Sequence, residues 1–186
     1  MILAIDTSMG TSVAVVADDG RTLAERLEPG IRGHAELIGR FIAECLEAAG
    51  ATAADIGAVA IGMGPGPYTG LRVGIAAARA FAFARDVPLL PAASHDGIRE
   101  ELGVGAEVAV ATPAGRRGHY VSIDGRTGLT HDGPGDAVQP ESVRAAAVAR
   151  VAIARRSAGL PTGPTEPLYL REPDVAAPSK PKRVTG

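Results

Sequence analysis

Residues 62 to 80, Gly-Met-Gly-Pro-Gly-Pro-Tyr-Thr-Gly-Leu-Arg-Val-Gly-Ile-Ala-Ala-Ala-Arg-Ala, decide how this chain is read. The apolar run Ala58-Val59-Ala60-Ile61 ends at a stretch holding Gly62, Gly64, Pro65, Gly66, Pro67 and Gly70. An alanine-dense segment then continues without proline to Val87. This pattern predicts a buried strand, a tight loop and a helix that Thr69 is placed to cap. Glycines this dense leave backbone N–H groups open to close approach by a ligand or another chain, and the helix N-terminus adds partial positive charge. A plain strand-to-helix turn explains the same glycines. Two ligand motifs fail on spacing. A P-loop needs Gly-Lys-Ser/Thr, and no lysine precedes Lys180; a dinucleotide fingerprint needs a third glycine where Thr69 stands.

Upstream, Ile2 to Ile5 is an apolar run ending at Asp6-Thr7-Ser8. Thr11 to Ala17 and Arg21 to Arg26 read as strands joined by an Asp18-Asp19-Gly20 turn. From His34 to Ala49, apolar residues at Leu37, Ile38, Phe41, Ile42, Cys45, Leu46 and Ala49 fit a helix with a broad apolar face, closed by Gly50. One such stripe is needed simply to lie on a sheet.

Downstream, Ser94 is positioned to cap a short helix, His95 to Leu102, ending at Gly103. Glu107 to Ala111 and His119 to Ile123 read as strands flanking Thr112 to Gly118, and Asp124 to Gly128 as a turn. A helix is expected from Glu141 to about Arg156, then a linker, Pro161 to Pro167, and the segment Pro167-Leu-Tyr-Leu-Arg171. Beyond Pro173 the composition predicts disorder, with a small basic cluster at Lys180, Lys182 and Arg183 of the kind that usually stays solvated.

Composition sets the bounds. The 186 residues suit one large or two small domains, and 46% hydrophobic content allows a real core. With aromatics at 3% and no tryptophan, that core must be aliphatic, and a base-stacking platform is disfavoured. A net charge of −2 gives no general attraction for phosphate backbones. One cysteine excludes an internal disulfide and suits a reducing compartment. The amino end does not read as a targeting segment, and no run approaches a membrane span. The expectation is a soluble, cytoplasmic protein.

The stretch Gly64-Pro65-Gly66-Pro67-Tyr68-Thr69-Gly70-Leu71-Arg72-Val73-Gly74 resembles the signature of the TsaB (YeaZ) family. These are dimerisation subunits of the bacterial machinery that makes threonylcarbamoyladenosine in tRNA. Pro167 to Arg171 resembles that family's Pro-x-Tyr-Leu-Arg, and the amino end resembles the opening of the actin, sugar-kinase and Hsp70 superfold. The chain departs from its relatives in places. Pro113, Ala114, Gly115 and Gly118 stand where the family usually has Asp-Ala-Arg and a Glu. In nucleotide-using members a glycine follows the first acid, whereas here Asp6 is followed by Thr7 and Ser8, so these three form at most a vestigial phosphate loop. The catalytic paralogue carries His-x-x-x-His on the corresponding helix; here His34 is followed at position 38 by Ile38, so no metal site is expected and His34 reads as an exposed helix-start residue.

The resemblance implies an α/β, two-lobed actin-like fold with a first lobe over 1–92, a trimmed second lobe over 93–165 and a return segment with tail over 166–186. It implies a non-catalytic subunit that pairs with a TsaD-type paralogue. With a TsaE-type ATPase it would support threonylcarbamoyl transfer from threonylcarbamoyl-AMP to N6 of the adenosine beside the anticodon. The implied interface, also used for a homodimer, comprises Leu37, Ile38, Phe41, Ile42, Cys45, Leu71, Gly74, Ala77, Ala78 and Phe81. No catalytic residue and no cofactor are expected on this chain alone, with ATP or ADP only at a complex interface; contact with tRNA is indirect and none with membrane is expected. Two rivals remain: a small ATP-dependent phosphotransferase using Asp6 and the glycine loop, and a peptidase.

Overall fold

The computed structural model describes residues 1–30, 33–161 and 163–170. A five-stranded sheet is built from β1 (Ile2–Asp6), β2 (Thr11–Val16), β3 (Thr22–Glu28), β4 (Ala58–Gly62) and β5 (Leu89–Ala92), in the order β3-β2-β1-β4-β5. β2 is antiparallel to both β1 and β3, whereas β4 runs parallel to β1 and β5 parallel to β4. This order, with one reversed strand, is the α/β arrangement of the actin-like superfold that the sequence predicts.

Both faces of the sheet are covered, so β1 and β4 are apolar at every position before their ends rather than alternating. On one face lie α1 (His34–Ala48) and α2 (Tyr68–Arg85), packed over Leu3, Ile5, Val13, Val15, Val59 and Ile61. On the other lies α4 (Ala145–Ser157), beside α3 (Ser94–Leu102). The α4 contact is small against small: Ala145, Ala146, Ala149 and Ala152 meet Ala4, Ala14, Ala58 and Ala60. Short side chains on both partners let backbones approach closely, which is how a core nearly free of aromatics fills its space. Side chains of β2 and β3 cap this helix: Ser12 Oγ accepts from the Ala145 amide at 2.9 Å and Glu25 Oε1 from the Ala146 amide at 3.0 Å.

The second lobe is a three-stranded antiparallel sheet, β6 (Val110–Pro113), β7 (His119–Ile123) and β8 (Arg126–Thr130). β8 is absent from the sequence reading, which extended the turn through Gly128. The turn itself is only Asp124-Gly125, both at positive φ (48° and 72°), and the chain pairs again from Arg126. α4 packs against the first sheet and α3 packs on α4, and Ile98 of α3 and Val110 of β6 join the apolar cluster beneath them. The remainder of the tail, including Lys180, Lys182 and Arg183, lies outside the described residues.

Candidate functional site: the glycine loop over the first turn

The loop between β4 and α2 is folded onto the turn between β1 and β2. Asp6, Thr7 and Ser8 are 1%, 1% and 5% exposed. Four glycines make this burial sterically feasible. A Cβ on Gly62 would lie 1.8 Å from Asp6 Oδ2, on Gly66 2.8 Å from Ser8 Cα, on Gly70 2.8 Å from the Thr7 carbonyl oxygen, and on Gly74 2.2 Å from Thr7 Oγ1. Only residues without a side chain let the two segments come this close. Packing of the loop on the first turn thus accounts for Gly62, Gly66, Gly70 and Gly74, a contact that neither sequence reading specified.

Hydrogen bonds complete the closure. The Thr7 hydroxyl donates to the Gly70 carbonyl at 2.8 Å. Asp6 Oδ1 accepts from the Ser8 amide at 2.8 Å and from Ser8 Oγ at 2.6 Å, and Oδ2 accepts from Ser94 Oγ at 2.6 Å. Burial pushes the Asp6 carboxyl above its ordinary range, with the bonds from Ser8 and Ser94 working against that rise. Ser94 Oγ also accepts from the Gly64 amide at 3.0 Å, so one hydroxyl joins the ends of three segments. Ser94 is therefore the first residue of α3 and not its cap; Ala93 holds the cap position without a side-chain bond. Thr69 is likewise inside α2, whose N-cap is Pro67, and is exposed.

His34 is buried, not exposed as the sequence suggested. Its Nδ1 lies 2.7 Å from Thr11 Oγ1, and its Nε2 would be 3.1 Å from a Cβ on Gly70. The start of α1 is thereby sealed over the same turn. Among the described residues no group of three His, Cys, Asp or Glu side chains is arranged to hold a metal ion.

The structure joins the two ends of the sequence signature. The segment 163–170 crosses the carboxyl ends of β4 and β5: the Gly163 amide donates to the Pro91 carbonyl and the Leu168 amide to the Met63 carbonyl, at 2.8 and 2.9 Å. Tyr169 rests on Tyr68 with ring centroids 4.7 Å apart, and Arg72 Nη1 donates to the Tyr68 hydroxyl at 3.0 Å.

The expected interface residues separate into two groups. Ile38, Phe41, Cys45, Leu71, Gly74 and Ala78 are buried in this chain's own core beneath α1 and α2. Leu37, Ile42, Ala77 and Phe81 are half-buried, and Phe83, which the sequence reading omitted, is 90% exposed on α2. Burial raises the Cys45 thiol to about 11, and its Sγ donates to the Val13 carbonyl. It is an inert core residue.

His95 was also missed by sequence reading. It is 1% exposed, with Nδ1 2.7 Å from Ser122 Oγ and Nε2 2.9 Å from Thr112 Oγ1. Burial, assisted by Arg99, lowers its pKa to about 3. It joins α3 to β6 and β7 as a neutral ring. The chain carries no local signal for this role, because both partners lie more than fifteen residues away.

The model of the family described as TsaD, tRNA N6-adenosine threonylcarbamoyltransferase, matches residues 21–161. An uncharacterized protein of Mycobacterium tuberculosis is 35% identical over 198 residues, covering 94% of this chain and 93% of that protein. The tRNA N6-adenosine threonylcarbamoyltransferase of Streptococcus suis is 41% identical over 107 residues, covering 49% of this chain but only 32% of the enzyme. In fold, the chain matches YeaZ from Pseudomonas aeruginosa with a TM-score of 0.67 and 24% identity, over 85% of this chain and 92% of that one. A crystal structure of an uncharacterized protein with similarity to peptidase YEAZ, from the same organism, gives a TM-score of 0.75 at 23% identity, over 91% and 99% of the two chains. The chain belongs to the TsaD family, tRNA N6-adenosine threonylcarbamoyltransferase, and has the fold of YeaZ.

Proposed function

We propose that this chain is a non-catalytic partner subunit in tRNA threonylcarbamoyladenosine formation. It pairs with a TsaD-type catalytic paralogue and acts with a TsaE-type ATPase. The observation that carries this reading is the closed turn at Asp6-Thr7-Ser8. A phosphate held at the first strand's end needs open backbone and an accessible carboxylate. Here Gly66, Gly70 and Gly74 occupy that approach, and three donors already engage Asp6. The arrangement supports a scaffold and argues against the phosphotransferase.

The peptidase reading needs an activated nucleophile. The His–Ser contact available, His95 with Ser122, is buried, has Thr112 and not an acid on the second ring nitrogen, and carries a ring held neutral to about pH 3. A general base is best with a pKa near the working pH. Partner docking is assigned to the outer face of α1 and α2, where Leu37, Ile42, Ala77, Phe81 and Phe83 keep apolar area in solvent. Homodimers of the isolated chain would use the same face.

Co-purification with TsaD-type and TsaE-type proteins tests the assignment. A complex containing this chain, lost on Phe83→Asp, is the expected result. Micromolar ATP binding by the isolated chain would instead revive the phosphotransferase.

A further inference from the structure

A cleft on the side of the first sheet opposite α1 and α2 carries a positive charge with no carboxylate at ion-pair distance among the described residues. It encloses about 410 Å³ between α3, the β7–β8 hairpin, the end of α4 and the segment 163–170. That volume is within the range of small-molecule sites. Two guanidinium groups line it, and they differ. Arg99 is satisfied: Nη1 is 3.2 Å from Asp96 Oδ1, and its other nitrogens donate to the Val108 and Ser122 carbonyls. Arg155 is not. Its Nε donates to the Pro161 carbonyl at 3.0 Å, while Nη1 and Nη2 meet no acceptor among the described residues. The side chain is nevertheless half-buried. A guanidinium whose terminal nitrogens have no protein acceptor has donors open to an anion.

Thr127, on β8, adds a donor. Its Oγ1 accepts from Ser122 Oγ at 3.0 Å, which leaves its own proton to give. His95 adds no charge because its ring is held neutral between Ser122 and Thr112. With Arg99 and Asp96 cancelling, the lining is left with the single positive charge of Arg155. We infer that this cleft binds a small oxyanion, a phosphoryl or carboxylate group, held by the free nitrogens of Arg155 and the hydroxyl of Thr127. Fork-shaped donors on a planar cation suit both groups, since each offers two oxygens at matching spacing. Leu168 forms part of the wall, and its amide is bonded to Met63 in the glycine loop. A bound anion therefore reports on the segment that carries Tyr169.

The test is titration calorimetry of the full chain with inorganic phosphate and, separately, malonate, at constant ionic strength, together with hydrogen exchange at the Leu168 amide. Saturable binding of one probe is expected, with slowed Leu168 exchange; which probe binds identifies phosphoryl or carboxylate. Arg155→Gln should weaken it at least tenfold, Thr127→Val several-fold, and Asp96→Asn should tighten it by removing the lining carboxylate. Circular dichroism confirms folding of each variant, and Thr127→Val decides the matter if Arg155→Gln does not fold. Absence of saturable binding by either probe, or equal affinity in wild type and the folded variants, overturns the site. No readout depends on tRNA modification, so the result is independent of the subunit assignment.

Discussion

Thr7 and Gly74 touch only because Gly74 has no side chain: a Cβ there would stand 2.2 Å from Thr7 Oγ1 and 3.0 Å from Thr7 Cγ2. This contact fixes α2 against the end of β1. Gly74→Ala should therefore destabilise the protein by about 1–3 kcal/mol, the usual cost of overpacking. Thr7→Ala removes the two nearest atoms while sacrificing the bond to Gly70. The double variant should be more stable than the two single losses add up to, a coupling readable by urea denaturation. Strict additivity would contradict the contact.

Gly66 and Thr69 make a second comparison. A Cβ on Gly66 meets backbone, with Ser8 Cα at 2.8 Å and its carbonyl oxygen at 2.9 Å, so the obstacle cannot rotate away. Thr69 is exposed and caps nothing. Gly66→Val should lower the melting temperature severely, whereas Thr69→Ala should change stability by no more than about 0.5 kcal/mol. A loss of about 1 kcal/mol at Thr69 would restore the capping role expected from sequence.

Asp6 gives stability a distinctive pH dependence. In the unfolded chain its carboxyl titrates near 3.8; in the fold it titrates higher, chiefly through burial. Between those values the folded state holds the extra proton, so this group's contribution to stability declines as pH rises through the interval. Asp6→Asn removes the effect. The variant's melting temperature, relative to wild type, should climb as pH increases from about 4 through that window. A constant difference would show that the Asp6 pKa is unshifted.

His95 acts with the opposite sign. Its ring titrates at 6.5 when unfolded and at about 3 in the fold. Below pH 6.5 the unfolded chain takes up a proton that the folded chain refuses, so stability falls as pH drops, by up to about 1.4 kcal/mol per unit. Urea midpoints at pH 7 and pH 5 should differ in wild type and differ less in His95→Gln. Equal slopes in the two proteins would exclude His95 as the source.

The elements that the sequence revealed are those whose signal is local. The strand before Gly62, the long α1 stripe from Leu37 to Leu46 and the Gly50 and Gly103 helix ends depend on neighbours a few residues away, and they stand as read. Ser94 and Thr69 were read as caps from residue type, but Ser94 is committed to Asp6, 88 residues distant, and Thr69 lies past the actual start of α2. α4 shows no apolar stripe because alanines surround it, so its docking on the first sheet was hidden; what determines that docking is the alanine surface it meets and the caps from Ser12 and Glu25. His34 and His95 were obscure for the same reason: a buried imidazole is recognised by its distant hydroxyl partners. At the outer face, alternation identified the helices but not which residues remain outside. Most of the expected set turned inward, leaving Phe83 as the largest exposed apolar group there.

The most direct measurement of the subunit assignment is threonylcarbamoyladenosine formation in tRNA, reconstituted from purified TsaD-type and TsaE-type proteins with and without this chain. The account predicts that modification requires this chain, that the chain alone produces none, and that folded Phe83→Asp protein supports little. Full modification without the chain, or undiminished modification with a folded Phe83→Asp variant that no longer associates, would contradict it.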